Sequence, residues 1–359
     1  MKILHIAYFG KFGKVTGIVD AVSNLAHKQQ ELGHQVKIII PFHHPLADDE
    51  TIFFARSFHC AISLIKTYSP DIVVFNGFYF KYQISLSCYL KLRQIPYILV
   101  FHGGASADNA KKNRLKKIIA NITLFNRFVR GASRVIYLSE NEKEKSIFSK
   151  QNAQYSIIPN GVNVPNILPT KVSNHKIKII YLSRLDWYGK GLDILCNAIE
   201  ILYAKGYEDR LQFCFYGPKQ SAECDKLFQF GKFSEYCGYV TGDDKDKAFR
   251  DANIFILPSR SEGMPLTVLE ALSYGVPCIV TRETNMADLV ERNNCGWVVN
   301  LSALHICNMI EAIMEKYPAE RESLSINAVN TARQFDWNTI AKLSVNIYND
   351  ILKQRQVLQ

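Results

Sequence analysis

The feature that most constrains this chain is an alternation that runs through it twice. Short apolar runs follow one another, each separated from the next by a helix-length stretch. Lys2 to Tyr8 (KILHIAY) is rich in Ile and Leu and fits a buried strand. A loop dotted with Gly10, Gly13 and Gly17 follows it. Ile18 to Leu32 then brings Val19, Val22, Leu25, Ala26 and Leu32 to one helical face, and Gly33 stops the helix. Gln35 to Ile40 is the next apolar run. A strand, a loop, a helix and a strand in this order imply parallel strands joined by a crossover. Ile72 to Phe75, Tyr97 to Phe101 and Arg134 to Leu138 continue the series, each ending in a polar loop. In an open parallel sheet those strand ends form the ligand-binding edge.

From Pro159 to His175 the character changes: three prolines, four asparagines and no periodicity mark a joint. A second series follows, with strands expected at Ile177–Leu182, Leu211–Tyr216, Ile254–Pro258 and Pro277–Val280. The 359 residues suit two domains, and 48% apolar residues suffice for two cores. The expected fold class is α/β, with two Rossmann-like doubly wound domains facing each other across a cleft. Residues 1–165, with a returning amphipathic helix at 338–359, form the first domain. Residues 170–337 form the second.

Nine scattered cysteines, without a CxxC pair, read as reduced thiols of a cytosolic protein rather than a zinc site. The amino terminus, MKILHIAYFGKFG, lacks the form of a signal peptide, and no apolar run reaches the ~20 residues of a membrane span. The net charge of +10 points to a polyanionic partner. Lys111 to Arg134 holds eight Lys/Arg and no acid, with Leu115, Ile118, Ile119, Ile122, Phe125 and Val129 at helical spacing. Two readings fit this segment: a helix lying on an anionic membrane, or a domain helix with a basic solvent face. No nucleic-acid motif accompanies it.

Two stretches carry chemistry. Ser259 to Thr281 (SRSEGMPLTVLEALSYGVPCIVT) follows the strand IFILP. Pro265 suits the first turn of a helix that Gly275 and Pro277 end. Leu266, Thr267 and Val268 would then offer free backbone N–H groups to an anion, typically phosphate. Glu262 lies in the preceding loop. Glu270, between Leu269 and Ala271, needs a partner in so apolar a stretch, either a ligand hydroxyl or a neighbouring base. In Ile179 to Gly191, Arg184 and Lys190 stand at a strand end with only Asp186 as local acid, placed for a diphosphate or as solvated charges. Asp244-Lys245-Asp246 imitates a metal-binding acidic motif but precedes the helix KDKAFRDA, where capping is the better reading.

Taken together, these stretches resemble family 4 retaining glycosyltransferases of the B-type fold. The resemblance rests on Glu262 and Glu270 with seven residues between them, on Arg184-Leu185-Asp186 with Lys190-Gly191, and on the joint Ile158 to Val162 (IPNGV). Weaker matches at Gly33–Val36 and Asp251–Ser259 extend it over most of the chain. The resemblance implies roles. Arg184 and Lys190 bind the donor diphosphate, and Glu270 holds the ribose. Glu262 with Gly263, Met264, Pro265, Leu266 and Thr267 contacts the donor sugar and phosphates. Gly217 and Pro218 line the nucleotide pocket, with Tyr239 and Val240 near the base. His102 in VFHGG lies near the donor sugar, and Gly17 matches the second glycine of an amino-terminal pair whose first is replaced by Thr16.

The expected activity is retaining transfer of a hexose or N-acetylhexosamine from a UDP- or GDP-linked donor. The acceptor would be lipid-linked or saccharide, in bacterial surface polysaccharide synthesis (capsule, O-antigen or lipopolysaccharide). No metal or other cofactor is expected, and the location is cytoplasmic, peripheral on the inner face of the membrane. A sugar-nucleotide epimerase of the same fold is the alternative. A dehydrogenase is disfavoured, since the Gly10–Gly17 loop lacks GxGxxG spacing and the second strand ends in IIIPFHH without a ribose-binding acid.

Overall fold

The computed structural model describes residues 1–7, 17–40, 51–55, 57–106, 124–152, 154–165 and 176–358. The chain divides into two compact units, Met1–Gly161 with Trp337–Gln359, and Val162–Asp336. The first boundary falls four residues before the 165 read from the sequence. Its position has a local cause: Val162 N–H donates to the Phe335 carbonyl (2.8 Å) and bridges Asp336, so both ends of the second unit are tied to each other.

In the first unit, β1 (Lys2–Ala7), β2 (Gln35–Ile40), β3 (Ile52–Phe54), β4 (Ile72–Asn76), β5 (Tyr97–Val100), β6 (Arg134–Tyr137) and β7 (Tyr155–Ile157) form one sheet, ordered β3-β2-β1-β4-β5-β6-β7. Every pairing is parallel, with Ile3 opposite Val36 on one side and Ile72 on the other. The crossovers include α1 (Gly17–Glu31), α2 (Phe58–Tyr68) and α3 (Lys81–Leu92), and the short helices α4 (Asn126–Arg130) and α5 (Glu140–Lys145) flank β6. One face carries an aromatic core in which Phe78 meets Phe101, Phe125 and Phe148 at 4.7–5.0 Å between ring centroids. Phe125 and Val129 are 4% and 0% exposed within that core. This end of the basic segment therefore packs as a domain helix, with Phe125 and Val129 turned into the core and Leu124 43% exposed. Residues 111–123 lie outside the described residues.

In the second unit, β8 (Ile177–Leu182), β9 (Leu211–Tyr216), β10 (Ser234–Tyr236), β11 (Ile254–Leu257), β12 (Cys278–Thr281) and β13 (Gly296–Val299) give the order β10-β9-β8-β11-β12-β13, again all parallel. Its helices are α6 (Leu192–Ala204), α7 (Gly242–Arg250), α8 (Leu266–Ser273), α9 (Ala287–Arg292) and the 31-residue α10 (Ala303–Arg333), which contains Pro318. The chain then returns to the first unit as α11 (Trp337–Leu358), which packs on α1. Gly161 admits this return: a Cβ there would lie 2.3 Å from the Trp337 indole. All nine cysteines are free thiols. Among the described residues, no helix is long and apolar enough to cross a membrane.

Candidate active site

The second sheet reverses direction between β8 and β11, since β9 lies on one side of β8 and β11 on the other. Such a switch point leaves a crevice at the carboxyl ends of the strands. Both motif stretches emerge there. After β8 the loop 183–191 turns back on itself. Asp186 Oδ1 accepts from Gly189 N–H (2.9 Å), and its carbonyl accepts from Lys190 N–H (3.1 Å). Asp186 therefore shapes the turn instead of pairing with either cation. The Tyr181 hydroxyl donates to the Arg184 carbonyl (2.7 Å), which fixes that backbone. The exposed Arg184 guanidinium makes no hydrogen bond or ion pair among the described residues.

Two glycines let the strand ends approach. Gly191 (φ +67°) stands where a Cβ would lie 1.9 Å from the Pro258 carbonyl oxygen. Gly217 (φ +133°) stands equally close to the Ser183 carbonyl oxygen, and its N–H donates to Gly238 O (2.8 Å). Neither position tolerates a side chain without moving backbone. Gly217 thus joins the β8 and β9 ends, and the Gly238 contact brings in the segment that carries Tyr239, 60% exposed, and the partly buried Val240.

After β11, Glu262 folds back onto Lys190. Its Oε1 lies 2.5 Å from Lys190 Nζ and accepts from Ser259 Oγ (2.7 Å). The two charged side chains are only 14% and 15% exposed, so this is a mostly desolvated pair. Asn285, held at φ 59°, donates through Nδ2 to the carbonyls of Glu262 (2.8 Å) and Gly263 (3.1 Å) and so locks the loop. Met264 is buried and closes the loop against the core. Pro265 takes the N-cap position, one residue earlier than its expected place in the first turn, and α8 begins at Leu266. Val268 N–H donates to the Pro265 carbonyl (3.2 Å), which corrects the expectation of three free groups. Those of Leu266 and Thr267 make no backbone hydrogen bond among the described residues.

Glu270 meets the other expected fate of a carboxylate in an apolar helix. Lys245 Nζ lies 2.6 Å from its Oε1, while Oε2 is buried without a hydrogen-bond partner among the described residues. Lys245 sits in α7, whose N-cap is Thr241, and Asp244 lies in the first turn. Asp244-Lys245-Asp246 thus forms no cap: Asp244 stands near the positive end of the helix dipole, Asp246 reaches Arg250 one turn on, and the lysine serves Glu270. Among the described residues, no cluster of His, Cys, Asp and Glu is arranged to hold a metal ion.

The remaining candidates belong to the first unit. Gly17 is the first residue of α1, with nothing within 4 Å of an added Cβ, so its backbone demands no glycine. The loop before it, residues 8–16, lies outside the described residues. His102 follows β5 in a left-handed conformation (φ 49°), with Gly103 at φ 76° behind it. Holding a non-glycine residue there costs of order 1–3 kcal/mol and needs support. Glu142 supplies it. Buried to 5% exposure, its two oxygens accept from Gly103 N–H and Leu138 N–H, each at 2.5 Å. Burial raises its pKa, and those two donors pull against that rise. Burial, then the neighbouring His5, lowers the His102 pKa to about 4, so the ring is neutral near pH 7. Sequence reading passed over Glu142, Lys245, Ser259 and Asn285. Only Glu142 carried a signal, the S-x-x-E spacing from Ser139, whose hydroxyl accepts from Glu142 N–H (3.1 Å).

Comparison with known proteins accords with this geometry. Residues 15–165 match the family model described as Glycosyltransferase Family 4, and residues 176–316 the model described as Glycosyl transferases group 1. The chain is 25% identical to the N,N'-diacetylbacillosaminyl-diphospho-undecaprenol alpha-1,3-N-acetylgalactosaminyltransferase of Campylobacter jejuni, over 73% of each chain. It is 21% identical to the alpha-monoglucosyldiacylglycerol synthase of Acholeplasma laidlawii over 94% of each. Among solved structures, Anabaena HepE in complex with UDP shares the fold with a TM-score of 0.77 at 17% identity, covering 98% of this chain and 100% of that one. A glycosyltransferase from Rickettsia africae gives the same TM-score at 19% identity, covering 98% of each chain. With a family 4 domain in its first unit and a group 1 domain in its second, the chain belongs to the family 4 glycosyltransferases of the B-type fold.

Proposed function

We propose that the chain is a retaining, nucleotide-sugar-dependent hexosyl- or N-acetylhexosaminyltransferase. Its donor is UDP- or GDP-linked, and its acceptor is lipid-linked or saccharide, in the synthesis of a bacterial surface polysaccharide or glycolipid. The observation that carries this reading is the switch point of the second unit. There the unpaired Arg184 guanidinium, Lys190 and the open N–H groups of Leu266 and Thr267 stand on loops from adjoining strand ends. A donor's pyrophosphate is the ligand such an edge suits. As the bond from anomeric carbon to phosphate oxygen breaks, negative charge grows on the leaving oxygen. Preorganised cations and helix-end dipoles stabilise that charge.

Lys190 is held by Glu262 before any ligand arrives, so its ammonium is aimed in advance. Glu270, with one oxygen on Lys245 and the other unsatisfied, suits a pair of ribose hydroxyls. Retention follows in this reading from front-face attack, in which the acceptor oxygen bonds to the anomeric carbon and its proton passes to the departing phosphate oxygen. The Campylobacter relative is named for transfer to a polyprenyl-linked acceptor, which supports an acceptor of that class at the inner membrane face. The basic segment Lys111 to Arg134, with eight Lys/Arg and no acid, is in this reading the anionic-lipid contact.

The test is a thermal-shift screen of UDP-, GDP- and ADP-sugars, followed by an assay of sugar transfer. The expected result is that one donor raises the melting temperature and is consumed only with acceptor present. A protein that no sugar nucleotide stabilises at millimolar concentration contradicts the reading.

A further inference from the structure

Beneath His102 runs a chain of buried side chains whose hydrogen bonds admit a single direction. It starts in α11, where the Ser344 hydroxyl donates to the Ala341 carbonyl (2.7 Å). That commits the one hydroxyl proton, so Ser344 Oγ accepts from Gln29 Nε2 (2.9 Å), and the buried Tyr348 hydroxyl, which can accept from Gln29 as well, stands beside both. Gln29 consequently turns its carbonyl oxygen to His5, 2.9 Å from Nε2. His5 therefore carries its proton on Nε2 and a lone pair on Nδ1, to which Asn76 Nδ2 donates (3.3 Å). A second anchor fixes Asn76 independently. Its Nδ2 also faces the Val74 carbonyl (3.3 Å), where an amide oxygen would meet another acceptor. Asn76 Oδ1 is left pointing at His102 Nε2, 3.2 Å away, and an oxygen there requires that nitrogen to carry the proton.

Ser344, Gln29 and His5 are fully buried, and Asn76 is 3% exposed, so water does not scramble the pattern. Burial keeps His5 as well as His102 neutral near pH 7, which leaves one proton to be placed on each ring. His102 Nδ1 has no hydrogen-bond partner among the described residues.

Resting on the reading of His102 as a donor-sugar contact, we propose that Asn76, His5 and Gln29 are positioning residues that hold His102 as its Nε2–H tautomer, making Nδ1 an acceptor for a hydroxyl of the transferred sugar. A neutral acceptor selects for a group that brings a proton, a hydroxyl or an amide N–H. It selects against a carbonyl or carboxylate oxygen at that point of the sugar, because two lone pairs would then face each other. The reverse wiring would invert the preference.

The experiment is histidine-selective 15N labelling of the full chain, read by long-range correlations between ring protons and ring nitrogens at pH 7. His102 is assigned by the signals lost in His102→Gln. The expected pattern is a protonated Nε2 and an unprotonated Nδ1. Nδ1 should shift when a stabilising sugar nucleotide from a panel of UDP-glucose, UDP-N-acetylglucosamine, UDP-N-acetylgalactosamine and GDP-mannose is added, and should stay in place with UDP or GDP alone. In the unsubstituted chain Asn76 Oδ1 supplies the acceptor that sets the tautomer. Asn76→Leu removes it, turns His102 into a mixture of tautomers and raises KM for that donor about tenfold. If Asn76→Leu does not fold, the tautomer of the unsubstituted protein still decides. A proton on Nδ1, or a mixture of tautomers in the unsubstituted chain, overturns the positioning role whatever the transfer assay gives. A fixed tautomer whose Nδ1 ignores a sugar nucleotide that is turned over removes the sugar contact while leaving the transferase reading intact.

Discussion

The two units use the same parallel architecture to present opposite electrostatics at their strand ends. In the second, the edge is charged: Lys190 with Glu262, Lys245 with Glu270, and Arg184 unpaired. In the first, the described side chains that contact the His102 ring are neutral and linked by directed hydrogen bonds, while the nearby acid Glu142 is spent on two backbone N–H groups. On the proposed function, the difference lets one fold serve two chemistries. A pyrophosphate is recognised by charge, which acts over several ångströms and tolerates small displacements. Sugar hydroxyls are neutral and differ in position and configuration on the ring, so their recognition needs donors and acceptors held at fixed places. Backbone demands differ in the same sense. The second unit brings strand ends together through Gly191 and Gly217, whereas the first holds a strained His102 in place through the buried Glu142.

The contrast can be broken or sharpened by experiment. The largest effect is expected from the charged edge: Arg184→Ala and Lys190→Ala should each lower kcat/KM by about 10²–10³-fold, roughly 3–4 kcal/mol, as for loss of one preorganised donor. Less than a tenfold loss for both would show that charge is not what that edge supplies. Gly217→Ala should come next, destabilising the fold by about 3 kcal/mol in urea titration, since a Cβ at 1.9 Å from Ser183 O forces backbone to move. An unchanged unfolding midpoint would deny that the strand ends are held so closely.

On the neutral side, Glu142→Gln should cost about 2 kcal/mol, because an amide can accept from only one of the two N–H groups with its single oxygen. Hydrogen exchange at Gly103 should rise with it; exchange as slow as in the unsubstituted protein would remove Glu142 from its supporting role. Acid should then weaken the neutral network specifically. His5 and His102 have folded pKa values of about 4 against 6.5 when free, so the unfolded chain takes up protons that the native one refuses. Their contribution is complete above pH 6.5 and is lost as pH falls toward 4, by up to about 1.4 kcal/mol per pH unit for each histidine. His5→Asn should flatten that slope in denaturant titrations across this range. The smallest effect is expected from Glu270→Gln, about a tenfold weaker binding of UDP or GDP by calorimetry, near 1.4 kcal/mol.

The sequence made the central strands and both motif loops legible because each depends on local pattern. β1, β2, β8 and β9 are continuous apolar runs, and Gly191 and Gly217 mark loops by composition. The edge strands β3, β7, β10 and β13 escaped notice: the first three are three residues long and β13 four, and β7 is exposed or half-buried throughout, so neither length nor periodicity announces it. In the candidate site, charge at a strand end could be read, but partners could not. Lys245 reaches Glu270 from another helix, and His5 meets Asn76 only because β1 pairs with β4. Long-range pairing of this kind is a property of sheet order, which no window of sequence contains. The N-cap of α8 shows a subtler limit. A proline before a helix can stand at either of two adjoining positions, and the choice fixes how many N–H groups remain open.

The hydrogen bond between Val162 and Phe335 has a consequence for how such enzymes diversify. Residues 162–336 leave and rejoin the chain side by side, so topologically they are an insert in a host that begins at Met1 and ends with α11. Exchanging that insert for another of its kind requires two adjacent joints and leaves the host's own termini and hydrophobic core untouched. On the proposed function, a modular swap of this sort would change which nucleotide is read without rebuilding the part of the chain that carries His102.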